Sequence, residues 1–303
     1  MQKIELMNKI KVYGEVLFAT IVWGAAYPFT KHVVALISPL SLVFVRCLFA
    51  SILMLVFVRI NFKKYLRLDL ILKLVVMSVI GISVQQFSQC YALKYTASTN
   101  AGFIIALTPI IIVLIELFWG EKISINKIIA FVSGLLGCLI VMYSLGRFSL
   151  SLPSTKGDLV FLTSSFTWAF YVVLTKRWFK GYPQNEVTAI TMIMALITLI
   201  PFEFKYSLVS EIKNLDMLGY ISLAYLCLLS SFLGYLFWND AVNKLGAVKS
   251  SYFIYDEPFA TIISAYLLLG EKVMPLTLVG GILILIGVYF VLKVENGKAL
   301  EYG

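Results

Sequence analysis

Apolar residues in this chain gather into runs long enough to cross a bilayer core, which takes about 20 residues each. Ten such runs can be read, at roughly 12–34, 40–58, 70–92, 97–118, 125–145, 158–178, 186–204, 217–240, 247–269 and 273–293. Short polar stretches separate them, and the longest lies near 146–157. The pattern predicts an all-α integral membrane protein of ten transmembrane helices, with no room for a separate soluble domain.

The few polar positions inside the runs recur. The segment Ala92–Leu145 is written again about 149 residues later, in Ala241–Leu292. Ala92 is followed by Pro109 and Ala241 by Pro258, 17 residues on in each case. Each proline sits in an apolar run that ends in Gly-Glu-Lys, at Gly120–Lys122 and Gly270–Lys272. Sixteen residues past each glutamate comes a glycine, Gly137 and Gly287. The opening helices match as well: Trp23 precedes Lys31, and Trp168 precedes Lys176, by eight residues. Tyr27 and Tyr171 lie close to matching places. The chain therefore divides into two five-helix units, 12–145 and 157–294. Five is odd, so the second unit enters the membrane from the opposite side, and the two are inverted repeats.

Composition agrees: 60% of residues are hydrophobic and 14% charged, where a soluble domain is nearer a quarter charged. The formal net charge of +9 could suggest nucleic acid, but its distribution excludes that reading. With the amino terminus inside, sixteen basic residues fall in inner segments and seven in outer loops, and Arg46 and Lys73 lie within helices. The positive-inside rule then puts both termini in the cytoplasm. The first apolar run is too long for a signal-peptide core and is expected to stay attached as the first helix. Cys47, Cys90, Cys138 and Cys227 are scattered singly in apolar runs, as buried filler rather than metal ligands or disulfides. No cofactor is expected, and His32 is expected at the surface. Small residues at Ala130, Gly134, Cys138, Gly280 and Gly287 mark close-packing faces. These are intramolecular or oligomeric; the sequence does not set an oligomeric state.

Each proline removes a backbone donor, which leaves the carbonyls of Ile105 and Ile254 without their helical partners. Such breaks survive in a membrane where they face protein or a wet cavity, so Pro109 and Pro258 are candidate hinges. Polar side chains in the runs are candidate site residues, because burying them in lipid is expensive. On the ninth helix Tyr252, Tyr255 and Asp256 would share a face by i,i+3 and i,i+4 spacing, with Glu257 about 100° further round. Asp256 would lie about 14 Å into the helix, near the midplane. One of the two acids is expected to bind or couple substrate; the alternative is a structural pair with Arg46. Gln86 and Gln89 on helix 3 correspond to Tyr235 and Trp238 on helix 8, with Gln85 and Asn239 adjacent. Amides beside aromatic rings suit a ligand with a polar head and a flat or apolar body. Asn100 on helix 4, with Trp23, Tyr27, Trp168 and Tyr171, completes the expected lining. Arg46 would need to reach about 10 Å to the outer interface, so a carboxylate or an anionic substrate group is its expected partner.

The duplicated five-helix unit, the Trp23-Gly-x-x-Tyr27-Pro of helix 1, Pro39 followed by Arg46, and the two proline-to-Gly-Glu runs resemble the drug/metabolite transporter superfamily, EamA type. The resemblance spans about 12–293. It implies a ten-helix secondary transporter of the cytoplasmic membrane and a charged residue at the place of Arg46. It also implies a small-molecule substrate drawn from amino acids, sugars, nucleotide derivatives or toxic cations. Export of an amino-acid-like metabolite or related amphiphile by alternating access is the leading expectation, and nutrient import the alternative. No phosphate-binding P-loop is present, so direct ATP drive is not expected; proton coupling through Asp256 or Glu257 and facilitated exchange without a coupling ion are the two readings left open. An intramembrane enzyme or a sensor would be the readings from other classes, but no catalytic motif supports the first and paired polar helix interiors count against the second.

The charge asymmetry generates a direct test of topology. A cysteine introduced at Ser154 should react with an impermeant thiol reagent from outside the cell, and one at Asn61 only from inside. Labelling of both from the same side would refute the arrangement.

Overall fold

A computed structural model describes residues 2–118, 125–144, 153–203, 207–245, 250 and 252–301. The described backbone is helical throughout, and no strand occurs in it. In chain order the elements are α1 (Gln2–Leu36), α2 (Pro39–Phe57), a short 3-10 turn (Phe62–Tyr65), α3 (Leu68–Ser78), α4 (Gln85–Leu93), α5 (Ser98–Ile105), α6 (Thr108–Leu117) and α7 (Ile125–Tyr143). Then come α8 (Pro153–Trp178), α9 (Gln184–Glu203), α10 (Leu208–Lys213), α11 (Met217–Ala224), α12 (Gly234–Leu245), α13 (Glu257–Leu269) and α14 (Pro275–Glu301). Two π-helical segments join α3 to α4 (Val79–Val84) and α11 to α12 (Tyr225–Leu233), and a 3-10 turn (Tyr252–Asp256) precedes α13.

Among the described residues, seven helical stretches are long and apolar enough to cross a membrane, at Lys11–Leu36, Pro39–Phe57, Leu68–Leu93, Ser98–Ile115, Thr155–Trp178, Gln184–Glu203 and Met217–Lys244. The remaining expected runs are helical but shorter in unbroken apolar length. In α7 and α14 the apolar portions are Phe131–Val141 and Pro275–Gly287, and the ninth run is divided between the 3-10 turn and the 13 residues of α13.

Both proline-bearing runs are interrupted rather than continuous. The helix stops and restarts, and each proline is the second residue of the new helix, Pro109 in α6 and Pro258 in α13. A proline is well accommodated there because the first turn has no internal N–H acceptor to lose. The carbonyl of Ile105 is not orphaned: the Thr108 hydroxyl donates to it at 2.7 Å. The two π segments end at Val84 and Leu233, 149 residues apart, the same offset as the prolines. The repeat in the sequence thus reappears as matched irregularities of the backbone.

The 3-10 turn also corrects the face assigned to the ninth helix. At three residues per turn Tyr252 and Tyr255 eclipse each other and Asp256 swings away from them, so Tyr252, Tyr255 and Asp256 do not form an α-helical stripe. Asp256 is half-buried and caps α13 without a side-chain bond. The side chain of Tyr252 and the whole of Gly120–Lys122 lie outside the described residues.

Helices α7 and α14 pack along their length. A Cβ on Gly137 would stand 2.5 Å from the Gly280 carbonyl oxygen, and one on Gly280 would stand 2.6 Å from that of Gly137. The Gly280 face is therefore intramolecular. At the Lys31 end, Gly270 closes α13 in the left-handed conformation (φ 63°). That turn sends Glu271 across to pair with Lys31 at 2.7 Å and to accept from the Ser98 backbone N–H at 3.0 Å. His32, expected as a plain surface residue, contacts Asp216 at 3.0 Å and holds that carboxyl below its usual range. All four cysteines are buried thiols.

Replacing Gly280 with leucine should lower the detergent-solubilised melting temperature by an amount equivalent to ~1–3 kcal/mol of overpacking. Ile282→Leu, on the exposed side of the same helix, should leave it unchanged. Equal melting of the two variants would show that the α7–α14 contact is not close.

Candidate functional site

The sequence Trp23-Gly-x-x-Tyr27-Pro28 acquires a reason for each residue where α1 crosses the start of α13. Pro28 has no N–H, so the Gly24 carbonyl loses its helical partner. The Thr261 hydroxyl supplies one, 2.8 Å from the Gly24 oxygen and 2.7 Å from that of Glu257. Gly24 has no side chain because a Cβ there would lie 2.4 Å from the Glu257 carbonyl oxygen. The close approach brings the Tyr27 hydroxyl within 2.8 Å of Glu257 Oε2, to which it donates. Trp23, one residue before Gly24, donates its indole N–H to the Ser230 carbonyl at 3.0 Å, an acceptor in the π segment.

These groups border one cavity. Its lining takes Trp23, Ala26, Tyr27 and Thr30 from α1, Arg46 from α2, Gln85, Gln86 and Gln89 from α4, and Ile105 from the end of α5. Trp168 of α8, Ser230, Tyr235 of α12 and Glu257 complete it. The space measures about 490 Å³ including the part open to solvent, so the enclosed portion is smaller. Glu257 is 3% exposed and Arg46 6%. Arg46 Nε donates to Ser231 Oγ at 3.0 Å, and a terminal nitrogen to Ser230 Oγ at 3.3 Å. No ion pair joins Arg46 to a carboxylate among the described residues, which corrects the expectation of a carboxylate partner within the protein. A carboxyl group and a guanidinium thus line one cavity while each is held by neutral hydroxyls.

Three rings form the aromatic wall. Trp23 meets Trp168 at 5.9 Å and Tyr235 at 5.3 Å, and Trp168 meets Tyr235 at 6.0 Å, all edge to face. Trp23 and Trp168 are repeat-matched residues, so the two units touch here. The side-chain oxygens of Gln85 and Gln86 are buried without a hydrogen-bond partner, which leaves two acceptors for a ligand donor.

Nine of the sixteen residues expected from sequence therefore line the cavity: Trp23, Tyr27, Arg46, Gln85, Gln86, Gln89, Trp168, Tyr235 and Glu257. Tyr171 and Trp238 stand behind the wall, stacked on Trp168 at 5.2 Å and tilted against Trp23 at 5.3 Å. Asn239 bonds Thr188 at 3.0 Å instead. Asn100 belongs to a different buried cluster around Asp158, a correction to its expected place in the lining. Tyr255 and Asp256 are half-buried and outside the lining; of the two acids, Glu257 is the one that faces the cavity. Sequence reasoning missed Thr30, Ser230 and Asp158. Hydroxyls in apolar helices are common enough that only the freed carbonyls nearby distinguish them, and Asp158 was hidden by its place near a helix end.

The EamA-like transporter family model matches residues 12–143 and 155–293. A Bacillus subtilis (strain 168) relative named "Uncharacterized transporter YyaM" is 26% identical over 287 residues, 93% of each chain. A Streptantibioticus cattleyicolor relative named "Probable terminal-alkyne amino-acid exporter" is 26% identical over 222 residues, 73% of each. A solved crystal structure with 17% identity superposes with a TM-score of 0.63, covering 92% of this chain and 95% of its own; it shows the fold alone.

Thr261→Val removes the hydroxyl that serves the Gly24 carbonyl freed by Pro28 and should destabilise the protein by ~1–3 kcal/mol. Thr163→Val, at an exposed position bonded within its own helix, should cost far less in the same thermal melt. Equal losses would show that the α1–α13 crossing does not depend on this bond.

Proposed function

The chain belongs to the EamA-like transporter family, and from that premise we propose that it carries a zwitterionic, amino-acid-like metabolite with an apolar or aromatic body out of the cell. The observation that carries this reading is the presence in one cavity of the acid Glu257 and the base Arg46, each bonded to neutral groups among the described residues. An ammonium group fits Glu257 and the unpartnered oxygens of Gln85 and Gln86. A carboxylate fits the guanidinium fork of Arg46. The edges and faces of Trp23, Trp168 and Tyr235 accommodate a flat or apolar body. The exporter name of the Streptantibioticus relative supports the direction and the amino-acid class.

The mechanism in this reading is alternating access by ten spanning helices in two inverted halves, with both termini in the cytoplasm. Matched π segments, matched helix restarts at Pro109 and Pro258, and the contact of Trp23 with Trp168 support it. The restarts serve as the hinges: few helical hydrogen bonds cross Ala106–Leu107 or Tyr252–Asp256, so each half-helix can reorient about them. A bound zwitterion satisfies both charges at once, which lowers the cost of closing the cavity around it.

Counterflow in proteoliposomes tests the substrate. L-Phenylalanine trapped inside should drive uptake of labelled L-phenylalanine, while phenethylamine and 3-phenylpropionate, each lacking one charged group, should exchange at least ~10-fold more weakly because a charged hydrogen-bonding group goes unmatched. Glu257→Gln and Arg46→Gln should each abolish exchange in protein that still purifies as a single species. Undiminished exchange in both variants, or equal exchange of all three compounds, would defeat the zwitterion reading.

A further inference from the structure

Asp158, on the first turns of α8, has no exposure to solvent, lies outside the cavity lining, and takes no part in the reading above. Gly157 lets α8 lie against the turn after α4, where a Cβ would stand 3.0 Å from the Ala92 carbonyl oxygen and the Thr96 nitrogen. Asp158 thereby reaches the Thr96 hydroxyl, which donates to Oδ1. The Asn100 amide donates to Oδ2 at 3.3 Å and lies 3.4 Å from the Val141 carbonyl oxygen, while its own oxygen accepts from Ser144 at 3.4 Å. No cation pairs with Asp158 among the described residues. A buried carboxylate without a counter-charge is strongly disfavoured in its ionised form and readily takes up a proton. Thr96 suits both states, since a hydroxyl donates to a carboxylate and accepts from a carboxylic acid.

The surroundings give a route and a lever. Lys94, Tyr95 and Lys156, next to Thr96 and Asp158 in sequence, are exposed, so the site lies just beneath the surface at the Lys31 end. Among the described residues, the other groups that bear on it are few. From α7, Cys138 is in electrostatic contact with Asp158, and a buried thiol is neutral at ordinary pH. On α4 and α5 the direct partners are the uncharged Thr96 and Asn100. At the start of α5 Glu271 is matched by Lys31, and Glu257 on α13 is bonded to Tyr27. Asn100 lies on α5, the short helix whose first residue is held by Glu271 and whose last, Ile105, lines the cavity. Neutralising Asp158 weakens the charge-assisted bond from Asn100 and so loosens α5 against α8.

We propose that Asp158 is a proton-binding site separate from the substrate cavity, through which a transmembrane pH difference drives transport. This rests on the reading of the chain as an alternating-access carrier, and two measurements keep the two ideas apart. In proteoliposomes of the full chain, wild-type protein should show both L-phenylalanine counterflow without a gradient and L-phenylalanine movement driven by an imposed pH difference. Asp158→Asn should keep counterflow within about two-fold of wild type while gradient-driven movement falls to the no-gradient level. Asp158→Glu should restore it with a displaced pH profile. Retention of pH-driven movement in Asp158→Asn overturns the proposal, as does drive by a sodium gradient in place of a pH gradient. Loss of counterflow together with driven movement overturns it too, since it makes Asp158 merely structural. The second measurement uses wild-type protein alone and needs neither a foldable variant nor a known substrate. Dicyclohexylcarbodiimide, which reacts with protonated carboxyls, should modify Asp158 in a peptide map, with labelling that falls as pH rises. Labelling that is absent, or insensitive to pH, overturns proton binding at Asp158 whether or not L-phenylalanine is transported.

Discussion

A bilayer interior offers no water to a backbone carbonyl, so every interruption of a helix must be answered by another part of the protein. The structure depends on how it meets that constraint. Pro28 frees the Gly24 carbonyl, and Thr261 takes it. The restart at Pro109 frees Ile105, and Thr108 takes it. Trp23 and Tyr225 donate to the carbonyls of Ser230 and Val22. Three of these four bonds reach across helices, between α1 and the Ser230 or Thr261 region. They fix α1 against the second half of the chain, and in doing so fix the cavity between them. The irregular backbone is therefore the scaffold of the site rather than a defect beside it.

The charged groups obey a similar division. At the helix ends they form ion pairs: Lys31 with Glu271, Lys11 with Glu15, Lys73 with Asp69 and Lys244 with Asp240. Such pairs near water contribute little each. Inside the bundle, Arg46, Glu257 and Asp158 are instead held by serine, tyrosine, threonine and asparagine. An internal ion pair would neutralise both partners permanently and leave nothing for a ligand to satisfy. Neutral donors and acceptors keep each charge in place while leaving its electrostatic demand open. That separates residues that tie the ends of helices from residues available to a substrate or a proton.

Much of this was legible in the sequence because bilayer physics constrains pattern strongly. Apolar run length located the helical stretches, and the offset of 149 residues located the irregular ones. Side chains whose repeat partners are polar or aromatic, such as Gln86 with Tyr235, were found on the cavity wall. What the sequence hid was local backbone type. A period of 3.6 applied to Tyr252–Asp256 put Asp256 on one face with the two tyrosines and left the choice between the acids open, whereas in the structure a 3-10 turn precedes Glu257, which lines the cavity. Asn100 has the depth of a lining residue, yet Asp158 draws it aside. Depth along a helix can be counted from a sequence, but the direction of a side chain depends on the partner across the interface.

The two halves share a backbone plan and differ in side chains, and the difference falls where a ligand would sit. Gln86 and its counterpart Tyr235 both line the cavity, as do Gln89 and Glu257, whose counterparts Trp238 and Thr108 do not. A strictly symmetric pair of halves would present the same groups from both sides and would best fit a symmetric ligand. Divergence of the lining places an acid, Glu257, amides and a base, Arg46, around one cavity. A zwitterion has that same polarity. In the carrier proposed above, the side chains would set its orientation in the cavity, and the backbone breaks at Pro109 and Pro258 would let the halves exchange places.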